Sequence, residues 1–200
     1  MLRFLLLLPV LALMAACATK DPMTEPLADL GAYRLGHNVL FASKARKGPV
    51  SRDAAPEEWE AVMRSAVQRR FGEYQGNQLY HFGISVEGYM LAPPGVPFLY
   101  KPKSALIINV TVWDDAANAK LNPEPKQFTI FESTTGGSFL AGSGHMRSKE
   151  EQMAGLAANA VDQIEDWMVA QKEAEGWFQP RPGAATTATV SPDQVQPPAE

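Results

Sequence analysis

The sequence predicts an α+β domain in which two helices pack on one face of a four- to five-stranded, mostly antiparallel sheet. Three observations carry this expectation. Two amphipathic helical stripes lie far apart, one following Pro56 and one following Ser148. Between them run several strand-like segments with no helical pattern separating them, so those strands are expected to pair antiparallel. The chain has 200 residues, 46% of them hydrophobic, enough for one good core once both ends are set aside.

The elements follow in order. Tyr33 to Ala42 reads as a first strand with Val39 and Phe41 on one face. Pro56 suits the first position of a helix, where its missing N–H has no intrahelical partner to lose. Glu57 and Glu58 fall in the first turn, where the helix dipole favours acids. Trp59, Met63, Ala66, Val67 and Phe71 recur every three to four residues and form one apolar stripe. Arg69 and Arg70 lie near the far end, and Gly72 is a natural stop. In the next strand Tyr80, Phe82, Ile84 and Val86 alternate with His81, Gly83, Ser85 and Glu87. The prolines from Pro93 to Pro97 break it, because proline cannot donate to a ladder.

A second long strand spans about Ser104 to Trp113. Leu106, Ile108, Val110 and Val112 take one face, while Ile107 and Trp113 give the other some apolar weight, as a central strand would have. Asp114 to Lys126 is a polar connection and Phe128 to Glu132 a further strand. Gly136-Gly137 can turn a hairpin into Phe139-Leu140. The last helix is the most strongly marked. Ser148 and Glu151 have the capping-box spacing, and Met153, Leu156, Ala157, Ala160, Val161, Ile164, Trp167 and Met168 follow at helical intervals to about Glu175.

The ends differ in kind from this domain. Arg3 precedes an apolar run from Phe4 to Leu13, and Met14, Ala15, Ala16 and Cys17 follow. A charged start, a short apolar stretch and small residues before a cut describe a secretory signal. The stretch is too short to span a bilayer, which takes about 20 residues. Ala15, Ala16 and Cys17 resemble the lipobox of bacterial lipoproteins. Met14 stands where that family usually has leucine. The resemblance implies that Cys17 becomes the first mature residue, diacylated and N-acylated. Acylation would also remove the lone thiol from an oxidising compartment. An ordinary cut after Ala18 is the alternative. Ala18 in place of aspartate implies, by the sorting pattern of enteric bacteria, the periplasmic face of the outer membrane.

The chain therefore divides into a signal peptide over 1–16, a tether over 17–31, the α+β domain over 32–178 and a disordered tail over 179–200, rich in Pro, Ala and Thr. Removing the signal takes away Arg3 and no acid, leaving 17 basic against 22 acidic side chains. Membrane attachment is then expected through the acyl chains at Cys17, and an acidic domain does not suit nucleic acid.

Catalytic signatures are sparse. One cysteine excludes disulfides and multi-cysteine metal clusters. His37, His81 and His145 form no metal-binding pattern. Gly136-Gly137-Ser138 and Gly142-Ser143-Gly144 lack nucleophile-elbow spacing. Asp114 and Asp115 are adjacent on a strand, point to opposite faces and end the strand in solvent. Lys44, Arg46 and Lys47 read as a solvated loop balanced by nearby acids. The reading is a non-enzyme without cofactor or metal, an accessory or binding subunit of the envelope with a protein or lipid partner. A hydrolase using His145 and Ser143, or a soluble secreted binding protein, are the alternatives. Candidate partner contacts are Pro93, Pro94, Phe98 and Tyr100 in the proline loop, and Trp177 with Phe178 after the last helix. The order of elements loosely resembles small periplasm-facing lipoproteins, such as the partner of the lipopolysaccharide-assembly barrel and the auxiliary lipoproteins of lipid-transport ABC systems.

Overall fold

The computed structural model describes residues 23–93, 103–132 and 147–181. Eight elements follow one another: β1 (Tyr33–Phe41), β2 (Arg46–Lys47), α1 (Pro56–Phe71), β3 (Gln78–Met90), β4 (Ala105–Asp114), β5 (Ala119–Lys120), β6 (Lys126–Phe131) and α2 (Lys149–Glu175). This is the expected α+β class, with six strands because β2 and β5 add two residues each.

Local chemistry sets the helix bounds. At the start of α2, Ser148 Oγ accepts the Glu151 N–H at 3.1 Å, and Glu151 accepts the Ser148 N–H at 2.7 Å. Two otherwise orphaned donors are thereby satisfied. The helix stops at Gly176, whose φ of 69° is left-handed and suits a residue without Cβ. In α1, Glu58 accepts the Ala55 N–H at 2.7 Å, doing half the work of a capping box without a side-chain cap at Ala55. Gly72 ends α1 in a right-handed conformation, so it is not a left-handed stop.

The sheet runs β1-β3-β4, with β5 and β6 both on the far side of β4 and β2 extending the β1 edge along β3. β3 with β4, and β4 with β5 and β6, pair antiparallel. β1 and β3 pair parallel across the α1 crossover, a βαβ unit that the strand patterns alone did not reveal. Both helices lie on one face. The core is the inward set of β3 and β4, such as Phe82, Ile84, Ile108 and Val110, against Trp59 and Met63 of α1 and Leu156 and Ile164 of α2.

Two boundaries move. Residues 25–31, expected as tether, are docked. Arg70 Nη1 donates to Glu25 O at 2.6 Å and Nη2 to Pro26 O at 3.1 Å. Leu30 is buried, and Lys172 Nζ pairs with Asp29 at 2.7 Å. At the other end the domain continues past Phe178. Gln78 Nε2 donates to Gln179 O at 2.7 Å, and Arg181 pairs with Asp114. Asp114 is therefore buried, not in solvent; it also caps the following turn through the Ala117 N–H at 3.0 Å. Asp115, on the opposite face, is exposed.

Arg70 and Glu165 form a buried ion pair that ties α1 to α2. The Tyr74 hydroxyl donates to the same carboxylate. Burial, and then the Glu165 charge, push the Tyr74 hydroxyl far above its ordinary pKa, so it stays protonated as a donor.

Candidate functional site

Among the described residues the helices cover one face of the sheet and nothing covers the other. Strand alternation puts Val39 and Phe41 of β1, Ile107 and Trp113 of β4 and Phe131 of β6 on the bare side. Phe41 is 58% exposed, Phe131 59% and Val39 43%. Among them lie Ser85, Asn109, Thr111 and Thr129, while Glu87, bonded to Ser85 Oγ, and the His81–Asp115 pair bring charge to the face at β3. β4 and β6 place no charged side chain on this face. Gly83 leaves a dip in it, since a Cβ there would meet nothing within 4 Å. Val39 and Phe41 thus share a face as expected, and Leu40 is the core residue between them. Trp113 is half-buried on the bare side and does not join the core.

A groove of about 620 Å³ opens at one end of this face. It exists because the edge strand is interrupted. β1 stops at Phe41, the chain turns through an Ala45 N–H to Ala42 O bond of 2.9 Å, and β2 resumes at Arg46. A bulge between Val86 and Gly88 shifts the β3–β4 register at the same level. The floor is Gly88, Met90, Ala105 and Ile107, and the rim carries Lys44, Arg46 and Lys47. Lys47 is paired with Asp53 at 2.6 Å, and that hydrogen bond and charge raise the pKa of its ammonium. Lys44 and Arg46 are exposed and have no ion-pair partner among the described residues. The basic run is solvated, as expected, but of the balancing acids only Asp53 forms an ion pair with it among the described residues, at Lys47.

His37 and His81 also meet on the bare face. The His37 backbone N–H donates to His81 Nδ1 at 2.7 Å, and His81 Nε2 lies 2.9 Å from Asp115. Nδ1 accepts, so Nε2 carries the proton toward the carboxylate. Both ring nitrogens are thus engaged, and His81 has no free lone pair with which to take a proton from a substrate. This pairing sits at the register shift between Leu35 and Asn38. Among the described residues no group of three or more His, Cys, Asp or Glu is placed to hold a metal ion. No described helix is long and apolar enough to cross a membrane.

The sequence-derived candidates fare unequally. Trp177 and Phe178 fold back on the core and are not offered to a partner: Phe178 packs on Tyr33 and Tyr80 with centroids at 5.2 and 4.8 Å, and Trp177 on Trp167 at 5.2 Å. The left-handed turns at Gly176 and Phe178 direct both rings inward. Pro93 is half-buried just beyond β3. Cys17, Pro94, Phe98, Tyr100, Ser143 and His145 lie outside the described residues, as does the Gly136-Gly137 turn. The groove was not found from sequence. Its signal was Ile107, an apolar residue on the wrong parity of β4, opposite Gly88.

No family model matches the chain, and no curated protein does. Solved structures with similar arrangements include a Xanthomonas campestris protein of family DUF330, 12% identical, covering 72% of this chain and 87% of that one at a TM-score of 0.43. PelC of Paraburkholderia phytofirmans, a dodecamer, is 9% identical over 70% of this chain and 92% of its own, at 0.37. A minor lipoprotein of Acinetobacter baumannii is 15% identical over 70% and 94%, at 0.26.

Proposed function

We propose that this protein is an acylated envelope lipoprotein whose α+β domain is a non-enzymatic binding or accessory subunit at the periplasmic face of the outer membrane. The attachment rests on Arg3, the apolar run and Ala15-Ala16-Cys17, with Ala18 favouring the outer membrane. The binding role rests on one observation: the open sheet face, on which Val39, Phe41 and Phe131 are exposed and to which β4 and β6 contribute no charge. Exposed aromatic and aliphatic side chains spread over one sheet face are the kind of surface that a partner covers. Side chains of this kind form the apolar centre of protein interfaces, where charge is depleted.

Two measurements test this. Intact mass of the mature protein should show a chain beginning at Cys17 and carrying acyl groups; an unmodified start at Thr19 would overturn the anchor. Affinity purification of the full-length chain from solubilised membranes should recover an envelope partner. Phe41→Asp with Phe131→Asp should lower that recovery about tenfold while leaving the thermal midpoint unchanged, because both rings are exposed. Unchanged recovery would remove the face from the interaction.

A further inference from the structure

We propose that the groove beside β2 binds one anionic amphiphile, with its alkyl chain on Ile107, Ala105 and Met90 and its acidic head at Lys44 and Arg46. This rests on the reading of the domain as a binding subunit and names the class of ligand. The groove's volume of about 620 Å³ is that of a small-molecule site.

The floor decides which chemistry can lie there. β3 is paired to β2 on one side and β4 on the other, and β4 to β6 through Ile107 and Thr129. At Gly88, Ala105 and Ile107 the floor is therefore interior sheet with a strand on either side, not a sheet edge, and only Glu87 is left out of the register by the bulge. An extended peptide needs free N–H and C=O groups to pair with. A hydrocarbon chain needs none and gains from covering Ile107 and Met90. The rim decides the head group. The protein carries a net charge of −4, yet Lys44 and Arg46 both line the groove without an ion-pair partner among the described residues. Glu87 also lines the groove, and its carboxylate accepts a hydrogen bond from Ser85 Oγ at 2.5 Å. A bare anion would have only the two solvated cations to hold it, which gives little affinity without the chain.

The test uses the full-length chain in a non-ionic detergent, analysed by native mass spectrometry with lysophosphatidylglycerol, lysophosphatidylcholine or glycerol 3-phosphate added. The anionic lysolipid should give a one-to-one adduct about fivefold more abundant than the zwitterionic one, and glycerol 3-phosphate none. Lys44→Glu with Arg46→Glu should erase the preference. Ile107→Asn should weaken both lysolipids about tenfold at an unchanged thermal midpoint; if it unfolds, Met90→Gln serves the same purpose. Equal adducts with both head groups, or a preference that survives the double reversal, would overturn the proposal. So would glycerol 3-phosphate binding as well as the lysolipid. Absent lysolipid adducts with an envelope partner still captured sink the ligand and leave the binding-subunit reading. Absent adducts together with no captured partner sink both.

Discussion

The side chain with the most at stake is Arg70. It is buried, it pairs with buried Glu165, and it holds the carbonyls of Glu25 and Pro26. Arg70→Ala leaves the carboxylate buried without its partner and should destabilise by about 3–5 kcal/mol in urea unfolding. Lys172→Ala, at an exposed pair with Asp29, should stay within about 1 kcal/mol. Gly36 offers a sharper test of the His81 geometry. A Cβ at Gly36 would run into the His81 ring. Gly36→Ala should therefore lower the thermal midpoint, and adding His81→Ala should recover part of the loss; a simply additive double mutant would show that the two do not touch. At this scale the sequence was least legible. Arg70 looked like a basic residue at a helix end, and Asp114 like a solvent-facing strand end. Each is buried by a partner that stands 67 residues or more away along the chain.

Among the elements, α2 was the most readable, its start to the residue and its end to about Glu175, because the signals that bound it are local. Ser148, Glu151 and Gly176 act within one turn of the helix they bound. Ser148→Ala should cost about 1 kcal/mol by thermal unfolding. Strand faces were equally readable, since alternation is also local. The parallel pairing of β1 with β3 was not, because it depends on how α1 crosses between them. Carboxylates also tie elements together. A hydrogen bond from Lys172 holds Asp29 below the usual carboxylate range, Lys47 does so for Asp53, and Lys149 does so for Glu58. Their folded pKa values lie below the unfolded ones. The stabilisation is thus present above about pH 4 and is lost as pH falls through the folded values. All three groups are exposed enough for salt to screen them. Thermal midpoints should therefore drop as pH falls below the ordinary carboxylate range of about 4, with a smaller drop at high ionic strength.

Across the whole molecule, the two ends of the domain close on each other. The Ala32 N–H donates to Phe178 O at 2.9 Å, and Tyr33, Tyr80 and Phe178 share one aromatic cluster. A chain stopped at Glu175 lacks Trp177, Phe178 and Arg181 and should unfold several degrees below one stopped at Arg181, as differential scanning calorimetry would show. Equal midpoints would mean that the closure contributes nothing. The aromatic residues of this closure were visible in the sequence, but their inward direction was not, because it is set by left-handed backbone at Gly176 and Phe178. The Arg70 clamp on Glu25 and Pro26 has a geometric corollary. With Cys17 acylated as proposed, only eight Cα–Cα steps separate the bilayer from a fixed point on the helical layer, at most about 28 Å when fully stretched. On that proposal the attachment would leave from the helical side, and the open sheet face, on the other side of the molecule, would be the one farther from the point of attachment.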